Sequence, residues 1–173
     1  MKRVSYQAIF LDEESIKKLL EMQGEKLPKK PKYMHCTFKF NPTDKEIEDF
    51  SKALLGKKVN LKVIGYGSNG KNSGFEIALE PEQEAVYTNS HTVNEKGIPE
   101  IERTVPHITV SMSEDAKAVD TGFLNFKPIK EPFEISGKGG FFVVDKAEKT
   151  SSVVYEDFRT ERTNVQRENP IER

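Results

Sequence analysis

Hydrophobic and polar residues alternate along most of the chain in short segments, and two amphipathic segments interrupt this alternation. Alternation with a period of two is typical of β-strands that bury one face. An Asn-Gly pair at residues 69–70 predicts a tight turn between two of these segments. The pattern predicts strands at residues 4–11, 33–40, 59–63, 75–79, 107–112, 133–135 and 141–144.

Two helices are predicted between the first three strands. Asp12 is a typical N-cap, and the acidic residues Glu13 and Glu14 suit the positive end of a helix dipole. Thr43 and Glu46 have the spacing of a capping box, which marks the start of the second helix. The order β-α-β-α-β-β, followed only by strands, predicts an α+β fold with two helices packed on antiparallel sheet.

Two stretches of the chain lack this periodicity. Residues 81–105 are polar and aperiodic, which predicts a long excursion of the kind that forms lids, binding loops or disordered segments. From residue 146 onward the chain is polar and charged. The pattern therefore predicts one domain at residues 1–145 and a C-terminal tail at 146–173 that is partly disordered or docked.

Composition narrows the class of protein further. The 173 residues suit a single domain, and 27 Lys and Arg against 28 Asp and Glu give a net charge of -1. This balance gives no general affinity for nucleic acid, so a nucleic-acid ligand must be small or held by a local site. Apolar runs such as 141–144 are too short to span a membrane. The single cysteine, Cys36, cannot form an internal disulfide, which favours a cytoplasmic location.

Two of the predicted strands contain a His-x-Thr motif between apolar residues. Because side chains alternate along a strand, His35 and Thr37 share one face of the first strand. His107 and Thr109 share one face of the second, and the intervening residues face the core. Each strand therefore presents an imidazole and a hydroxyl to a cleft. The third histidine, His91, lies in the polar excursion without such a motif and is predicted to be a solvated loop residue.

Two imidazoles that face one cleft suit the cleavage of a phosphodiester by general acid–base catalysis. A neutral imidazole takes a proton from an attacking hydroxyl or water, and a protonated one gives a proton to the departing oxygen. Histidine titrates near neutral pH and can do both. The threonine hydroxyls would donate hydrogen bonds to phosphoryl oxygens as negative charge develops. Lys39, on the same strand face as His35, would add positive charge.

Other chemistries fit these residues less well. Cys36 and His35 are neighbours on a strand and point to opposite faces, which makes a poor nucleophilic pair. Two histidines without a third ligand at suitable spacing make a weak zinc site, so no metal or other cofactor is predicted. The glycine-rich segments at 65–67 and 137–140 do not match a phosphate-binding loop and are predicted to be turns.

Paired His-x-Thr strands in a small α+β chain resemble the two-histidine, or 2H, phosphoesterase superfamily. The resemblance extends over residues 1–145 and depends on the duplicated motif and on the sequence PHITVS at 106–111. It implies a bilobal, pseudo-symmetric pair of antiparallel sheets that line one groove, with the helices packed outside. The catalytic residues that it implies are His35, Thr37, His107 and Thr109.

Within this superfamily the layout is most similar to the phage anti-CBASS nucleases, which degrade the cyclic oligonucleotides of bacterial immunity. This resemblance implies a metal-independent hydrolase of small cyclic oligonucleotides that acts in immune evasion. It implies neither a membrane nor an obligate protein partner. In such nucleases aromatic and acidic residues outside the motifs hold the nucleobases. The residues predicted to bind substrate here are Tyr6, Lys39, Tyr66, Glu134 and Phe141.

Two other functions remain open at this point. An RNA-end 2′,3′-cyclic phosphodiesterase would use the same catalytic residues on a short RNA substrate. A broad basic track would favour that function, and the net charge of -1 argues mildly against it. A non-catalytic nucleotide-binding protein would keep the cleft without turnover, but both histidines and both threonines of the motifs are intact.

Overall fold

A computed structural model describes residues 1–95 and 98–159 of the chain, with backbone alone at 91–95 and 98–101. Its content of many strands and few helices confirms the predicted α+β class. In chain order the elements are β1 (Lys2–Leu11), α1 (Glu13–Met22), β2 (His35–Phe40), α2 (Asp44–Ala53), β3 (Lys58–Ser68), β4 (Asn72–Ala78), α3 (Pro81–Glu84), β5 (Ser90–Glu95), β6 (Ile98–Arg103), β7 (His107–Met112), a 3₁₀-helix η1 (Ala118–Phe123), β8 (Lys127–Asp145) and β9 (Thr150–Val154).

Seven of the strands form one antiparallel sheet in the order β1-β2-β7-β4-β3-β8-β9. Strand β8 also pairs with β1, so the sheet closes on itself. This is possible because β8 is 19 residues long: residues 127–138 pair with β3, and residues 137–145 pair with β1. The sheet therefore has a first wing containing β1 and β2 and a second wing containing β3, β4 and β7, joined by β8 and by the pairing of β2 with β7. One closed sheet thus takes the place of the pair of sheets that the resemblance implied.

Strand β8 runs without a break through the glycine-rich segment 137–140, where the sequence pattern predicted a turn. Glycine is needed there because another backbone comes very close. A Cβ on Gly139 would lie 2.1 Å from the carbonyl oxygen of Leu54, just after α2. The glycines at 65–67 likewise lie inside β3 and not in a turn. Both turn predictions are wrong, because glycine serves close packing at these positions.

Both predicted helix starts are confirmed by their caps. The Asp12 carboxylate accepts a hydrogen bond from the backbone N–H of Ser15 at 2.9 Å, which satisfies one free donor at the start of α1. Thr43 and Glu46 form the complete capping box of α2. These contacts fix where each helix begins after the strand that precedes it.

Helix α2 packs on the face of the sheet opposite to the one that carries His35 and Thr37. Its Phe50 contacts Phe38 of β2 and Phe141 of β8, with ring centroids 5.7 and 6.0 Å apart. All three side chains are fully buried. Since side chains alternate along β2, burial of Phe38 on the helix side directs His35 and Thr37 to the other side.

The segment 81–105 is not an irregular excursion. It contains α3 and a hairpin of β5 and β6, which form a separate two-stranded sheet. The base of the hairpin is anchored by Tyr87, which is buried and donates a hydrogen bond to the carbonyl oxygen of Thr104 at 2.8 Å. His91 lies on β5, where the structure describes backbone only.

The polar segment that follows residue 145 begins with ordered structure. Strand β9 pairs with residues 141–145 of β8, so the sheet continues beyond the boundary that the sequence pattern predicted. The remainder of the predicted tail, residues 160–173, lies outside the described residues. Among the residues that are described, no helix has the length and apolar character needed to cross a membrane.

We expect Gly139→Ala to lower the free energy of unfolding by about 1–3 kcal/mol, the usual cost of overpacking. The new Cβ would meet a backbone oxygen of Leu54, which cannot rotate away as a side chain could. Chemical denaturation measures the change. The matched control is Lys138→Ala at the exposed neighbouring position, where we expect a change within about 0.5 kcal/mol. Equal stability of the two variants would contradict the close approach.

Candidate active site

The two His-x-Thr strands meet at a single pair of residues, which are the central residues of the two motifs. Cys36 of β2 pairs with Ile108 of β7 in antiparallel register. Such a register is symmetric about the paired point, so Thr37 lies across from His107 and His35 across from Thr109. Cys36 and Ile108 are fully buried in the core. The four polar side chains therefore share the opposite face, related by a local two-fold axis.

All four of these side chains line one cavity of about 630 Å³. The strands β1, β2, β7 and β8 supply its floor, and the loop before β2 and η1 supply parts of its rim. The structure thus brings together His35, Thr37, His107 and Thr109. The other residues that line the cavity are Tyr6, Pro31, Lys32, Tyr33, Phe40, Asn89, Ser90, Met112, Ala118, Val119 and Phe142.

Both imidazoles are held in the same way by the backbone. His35 Nδ1 lies 2.7 Å from the carbonyl oxygen of Tyr33, and His107 Nδ1 lies 2.6 Å from that of Val105. A carbonyl oxygen only accepts, so Nδ1 carries the hydrogen in each histidine. Proton exchange with a bound substrate would therefore use the other ring nitrogen, Nε2.

The surroundings of His35 favour its neutral form. The pKa of His35 is lowered to about 4, mainly by burial; the hydrogen bond to Tyr33 opposes this shift, and the nearby His107 adds to it. Two aromatic rings contribute to the burial: the centroids of Tyr6 and Phe10 lie 4.7 and 5.5 Å from that of the imidazole. At neutral pH the His35 imidazole is therefore uncharged and able to accept a proton.

The two threonines differ in their hydrogen bonds. The Thr109 hydroxyl lies 2.8 Å from the Thr121 hydroxyl and 3.2 Å from the Ala118 carbonyl oxygen, both on η1. Asn72 donates a hydrogen bond to the Thr121 hydroxyl at 3.0 Å. The one hydrogen of the Thr109 hydroxyl is thus engaged within the protein. Within the described part of the chain, the Thr37 hydroxyl has no such partner and faces the cavity.

Positive charge reaches the cavity from Lys32 and not directly from Lys39. The Lys39 ammonium donates a hydrogen bond to the Ser90 hydroxyl at 3.5 Å and lies 3.9 Å from the Glu46 carboxylate. It sits behind Ser90, which lines the cavity, so it supports the rim. Lys32 lines the cavity itself, and the basic run at 29–32 was the sequence signal that could have indicated it.

Three of the predicted substrate-binding residues lie away from the cavity. The Tyr66 hydroxyl lies 2.6 Å from that of Ser73 and accepts a hydrogen bond from the backbone of Glu25, so it fixes the loop after α1. Phe141 is fully buried against α2. Glu134 is exposed on β8, where that strand pairs with β3. None of these three residues lines the cavity, and neither does Lys39, whereas Tyr6 does.

The cavity also has aromatic residues that the sequence pattern did not select. Phe142 lines it one residue after Phe141, because alternation along β8 sends the two rings to opposite faces. Tyr33 lines it just before β2. The apolar run 141–144 fits either phase of the alternation, and only the pairing of β8 with β1 decides between them.

Comparison with known proteins adds no family assignment: neither the models of known protein families nor the curated proteins contain a match to the chain. Within residues 1–90 and 102–159, whose side chains the structure describes, no group of three or more His, Cys, Asp and Glu side chains is placed to hold a metal ion.

The low pKa of His35 predicts a pH dependence of stability. The ordinary pKa of 6.5 holds in the unfolded chain, whereas the folded value is about 4. Between these values the unfolded chain binds a proton that the folded protein does not, so the free energy of unfolding falls as the pH falls through this window. In His35→Gln, which has no imidazole to titrate, we expect the free energy of unfolding to fall less over the same pH window. Chemical denaturation at several pH values measures this. Identical pH profiles for the two proteins would contradict the shift.

Proposed function

We propose that the protein is a phosphodiesterase that uses His35 and His107 as an acid–base pair. The observation that carries this proposal is the symmetric placement of the two imidazoles. Each is fixed through Nδ1 by a backbone carbonyl, and both face one cavity from paired strands. Two independently oriented imidazoles on one cavity are what proton removal and proton delivery require.

In the proposed reaction His35 is the base and His107 the acid. Nε2 of His35 removes the proton of an attacking oxygen, from water or a neighbouring ribose hydroxyl, and that oxygen forms a bond to phosphorus. As the bond from phosphorus to the leaving oxygen breaks, Nε2 of His107 donates its proton to that oxygen. Exchange with solvent then restores both protonation states. The neutral state of His35 in the free protein supports its assignment as the base.

The remaining polar groups of the cavity suit a phosphate that gains negative charge. The Thr37 hydroxyl is available to donate a hydrogen bond to a phosphoryl oxygen, and Lys32 supplies a positive charge at the rim. Thr109 instead holds η1 against the cavity through Thr121. The two threonines, which have equivalent places in their motifs, thus have different tasks.

We propose small cyclic oligonucleotides as the substrate class. The cavity volume of about 630 Å³ is in the usual range for small-molecule sites. Its wall combines aromatic rings with few charges, which suits nucleobases beside a single phosphodiester. The two antiparallel wings that meet at the motif strands support the resemblance to two-histidine phosphoesterases. On that resemblance we propose an anti-CBASS role, which is the degradation of the cyclic messengers of bacterial immunity.

A second candidate is an RNA-end 2′,3′-cyclic phosphodiesterase, and one observation favours it. The loop before β2 carries Lys29, Lys30 and Lys32 beside the cavity. The backbone of Lys29 pairs with that of Met112 at the end of β7, so this basic run is fixed at the rim. A short RNA that extends from the cavity would pass such a run.

The deciding experiment offers the protein a panel of substrates in the presence of EDTA. The panel contains cyclic dinucleotides, cyclic trinucleotides and RNA oligomers that end in a 2′,3′-cyclic phosphate, and the products are separated and identified. We expect cleavage of cyclic oligonucleotides at the highest rate. A faster reaction of the RNA ends would favour the second candidate. Absence of products from every substrate would indicate a non-catalytic binding protein and overturn the proposal.

His35→Ala and His107→Ala are each expected to lower turnover on the order of 10²–10⁴-fold, because each removes the base or the acid. Both side chains lie on the cavity face, so the fold should persist, and circular dichroism checks this. Lys45→Ala, on the exposed side of α2, is a matched surface control with full activity expected. Full activity in either histidine variant would refute the mechanism.

Thr37→Val and Thr109→Val are expected to differ. Both keep the β-branched shape and delete one hydroxyl. Thr37→Val should lower kcat on the order of 10²-fold, the lower range for a lost donor to developing charge. Thr109→Val should mainly lower Tm, because it takes a partner from Thr121. Rates of turnover and thermal unfolding of both variants test this; a larger loss of kcat in Thr109→Val would reverse the assignment.

A further inference from the structure

Three rings on neighbouring strands form a stack across the floor of the cavity. Tyr6 lies on β1, between Phe142 on β8 and His35 on β2. Its ring centroid lies 5.0 Å from that of Phe142, with 11° between the planes, and 4.7 Å from that of His35, with 21° between the planes. Phe142 is the residue opposite Tyr6 in the sheet, whereas the residue opposite His35 is Phe10, so the Tyr6 ring reaches the imidazole diagonally across β1 and β2. The three rings are therefore arranged side by side, with Tyr6 in the middle.

The middle position means that both faces of the Tyr6 ring are already covered. A nucleobase needs a free aromatic face for stacking, and Tyr6 has only its edge and hydroxyl to offer to the cavity. Its contact with His35 is instead a contact between two flat rings at a small angle. Tyr6 therefore acts on the imidazole and not directly on a base, which changes the role that the resemblance implied for it.

Two contacts together fix the orientation of the His35 ring. The hydrogen bond from Nδ1 to the Tyr33 carbonyl oxygen sets which edge points to the backbone. Contact with the Tyr6 face, supported from behind by Phe142, sets the plane of the ring. With the hydrogen bond alone, the imidazole ring could still rotate about the axis of that bond. Contact with the stacked rings prevents this rotation.

We propose that Tyr6 is a positioning residue: its ring, held between Phe142 and His35, keeps Nε2 of His35 directed into the cavity and keeps water off one face of the imidazole. The effect of Tyr6 on turnover rests on the proposed acid–base function. The restraint that Tyr6 places on the His35 ring does not depend on that function. The burial that lowers the pKa of His35 agrees with this exclusion of water.

The phenol hydroxyl of Tyr6 has no part in this role. Burial raises the pKa of Tyr6 to about 12, with a further contribution from Tyr33, so the ring stays uncharged over the working range of pH. The titratable groups that adjoin His35 are Tyr6 on β1, Tyr33 before β2 and His107 on β7. Phe10 and Phe142 add only apolar surface. Removal of the Tyr6 ring should thus change His35 mainly through hydration.

The test follows the imidazole by NMR in the free protein, so it needs no substrate. Long-range proton–nitrogen spectra identify the tautomer, and a pH titration of the ring protons gives the pKa. For the wild-type protein and for Tyr6→Phe, which keeps the ring, we expect a midpoint near 4 and the Nδ1–H tautomer. For Tyr6→Ala we expect a midpoint that moves toward 6.5 and mixed tautomers.

Two further variants keep the test decisive. Phe142→Ala leaves Tyr6 in place and removes its support, so it should shift the His35 midpoint in the same direction by a smaller amount, even if Tyr6→Ala fails to fold. Phe133→Ala is the matched control, because it removes a ring from another part of β8, beside Lys18 of α1. We expect it to leave the midpoint unchanged.

Kinetics separate the positioning role from base stacking. With the substrate of the panel that the wild-type protein cleaves fastest, Tyr6→Ala should lower kcat about ten- to a hundredfold through misorientation of His35, with little change in KM. An unchanged His35 titration in Tyr6→Ala and Phe142→Ala, or a rise in KM alone, would overturn the inference. A wild-type protein that is inactive on every substrate of the panel described above would overturn the proposed function instead, and the titration would still decide whether the stack restrains the ring.

Discussion

The antiparallel pair of Cys36 and Ile108 is the constraint on which the whole cavity depends. Both side chains are fully buried, so the residue on either side of each must face away from the core. A slip of one residue in either strand would bury an imidazole and turn a sulfur or an aliphatic chain toward the cavity. The apolar packing of these two central residues thus determines where the four polar side chains point.

The local symmetry of the two strands does not extend to their surroundings. His35 lies against the face of Tyr6, whereas His107 lies beside Gly122 of η1, where a Cβ would come within 3.1 Å of the imidazole. One histidine is therefore covered by aromatic side chains and the other by a backbone without a side chain. Different surroundings of chemically identical groups are a general way to give them different roles in proton transfer.

Short-range patterns in the sequence predicted much of this arrangement. The sequence did not reveal which distant segments pair or pack against each other. The Asp12 cap, the Thr43 capping box and the faces of the two motif strands follow from spacing alone. Spacing alone could not decide whether Phe141 or Phe142 faces the cavity, because a continuous apolar run fits both phases of a strand. Glycine at residue 139 resembles a turn signal, but its reason is the approach of Leu54, which is distant in sequence. The orientation of Phe142 and the need for glycine at residue 139 both depend on contacts between segments that are far apart in the sequence.

The closure of the sheet by β8 has a consequence for how the protein is made. Strand β1 is synthesised before β8, yet one of its edges pairs with β8, in a register that places Lys2 opposite Asp145. Until most of the chain has been synthesised, that edge of the nascent strand has no native partner. Contacts between such distant segments slow folding, and unpaired apolar strands are prone to aggregate. This edge therefore stays unpaired for longer during synthesis than an edge in a protein built from local hairpins.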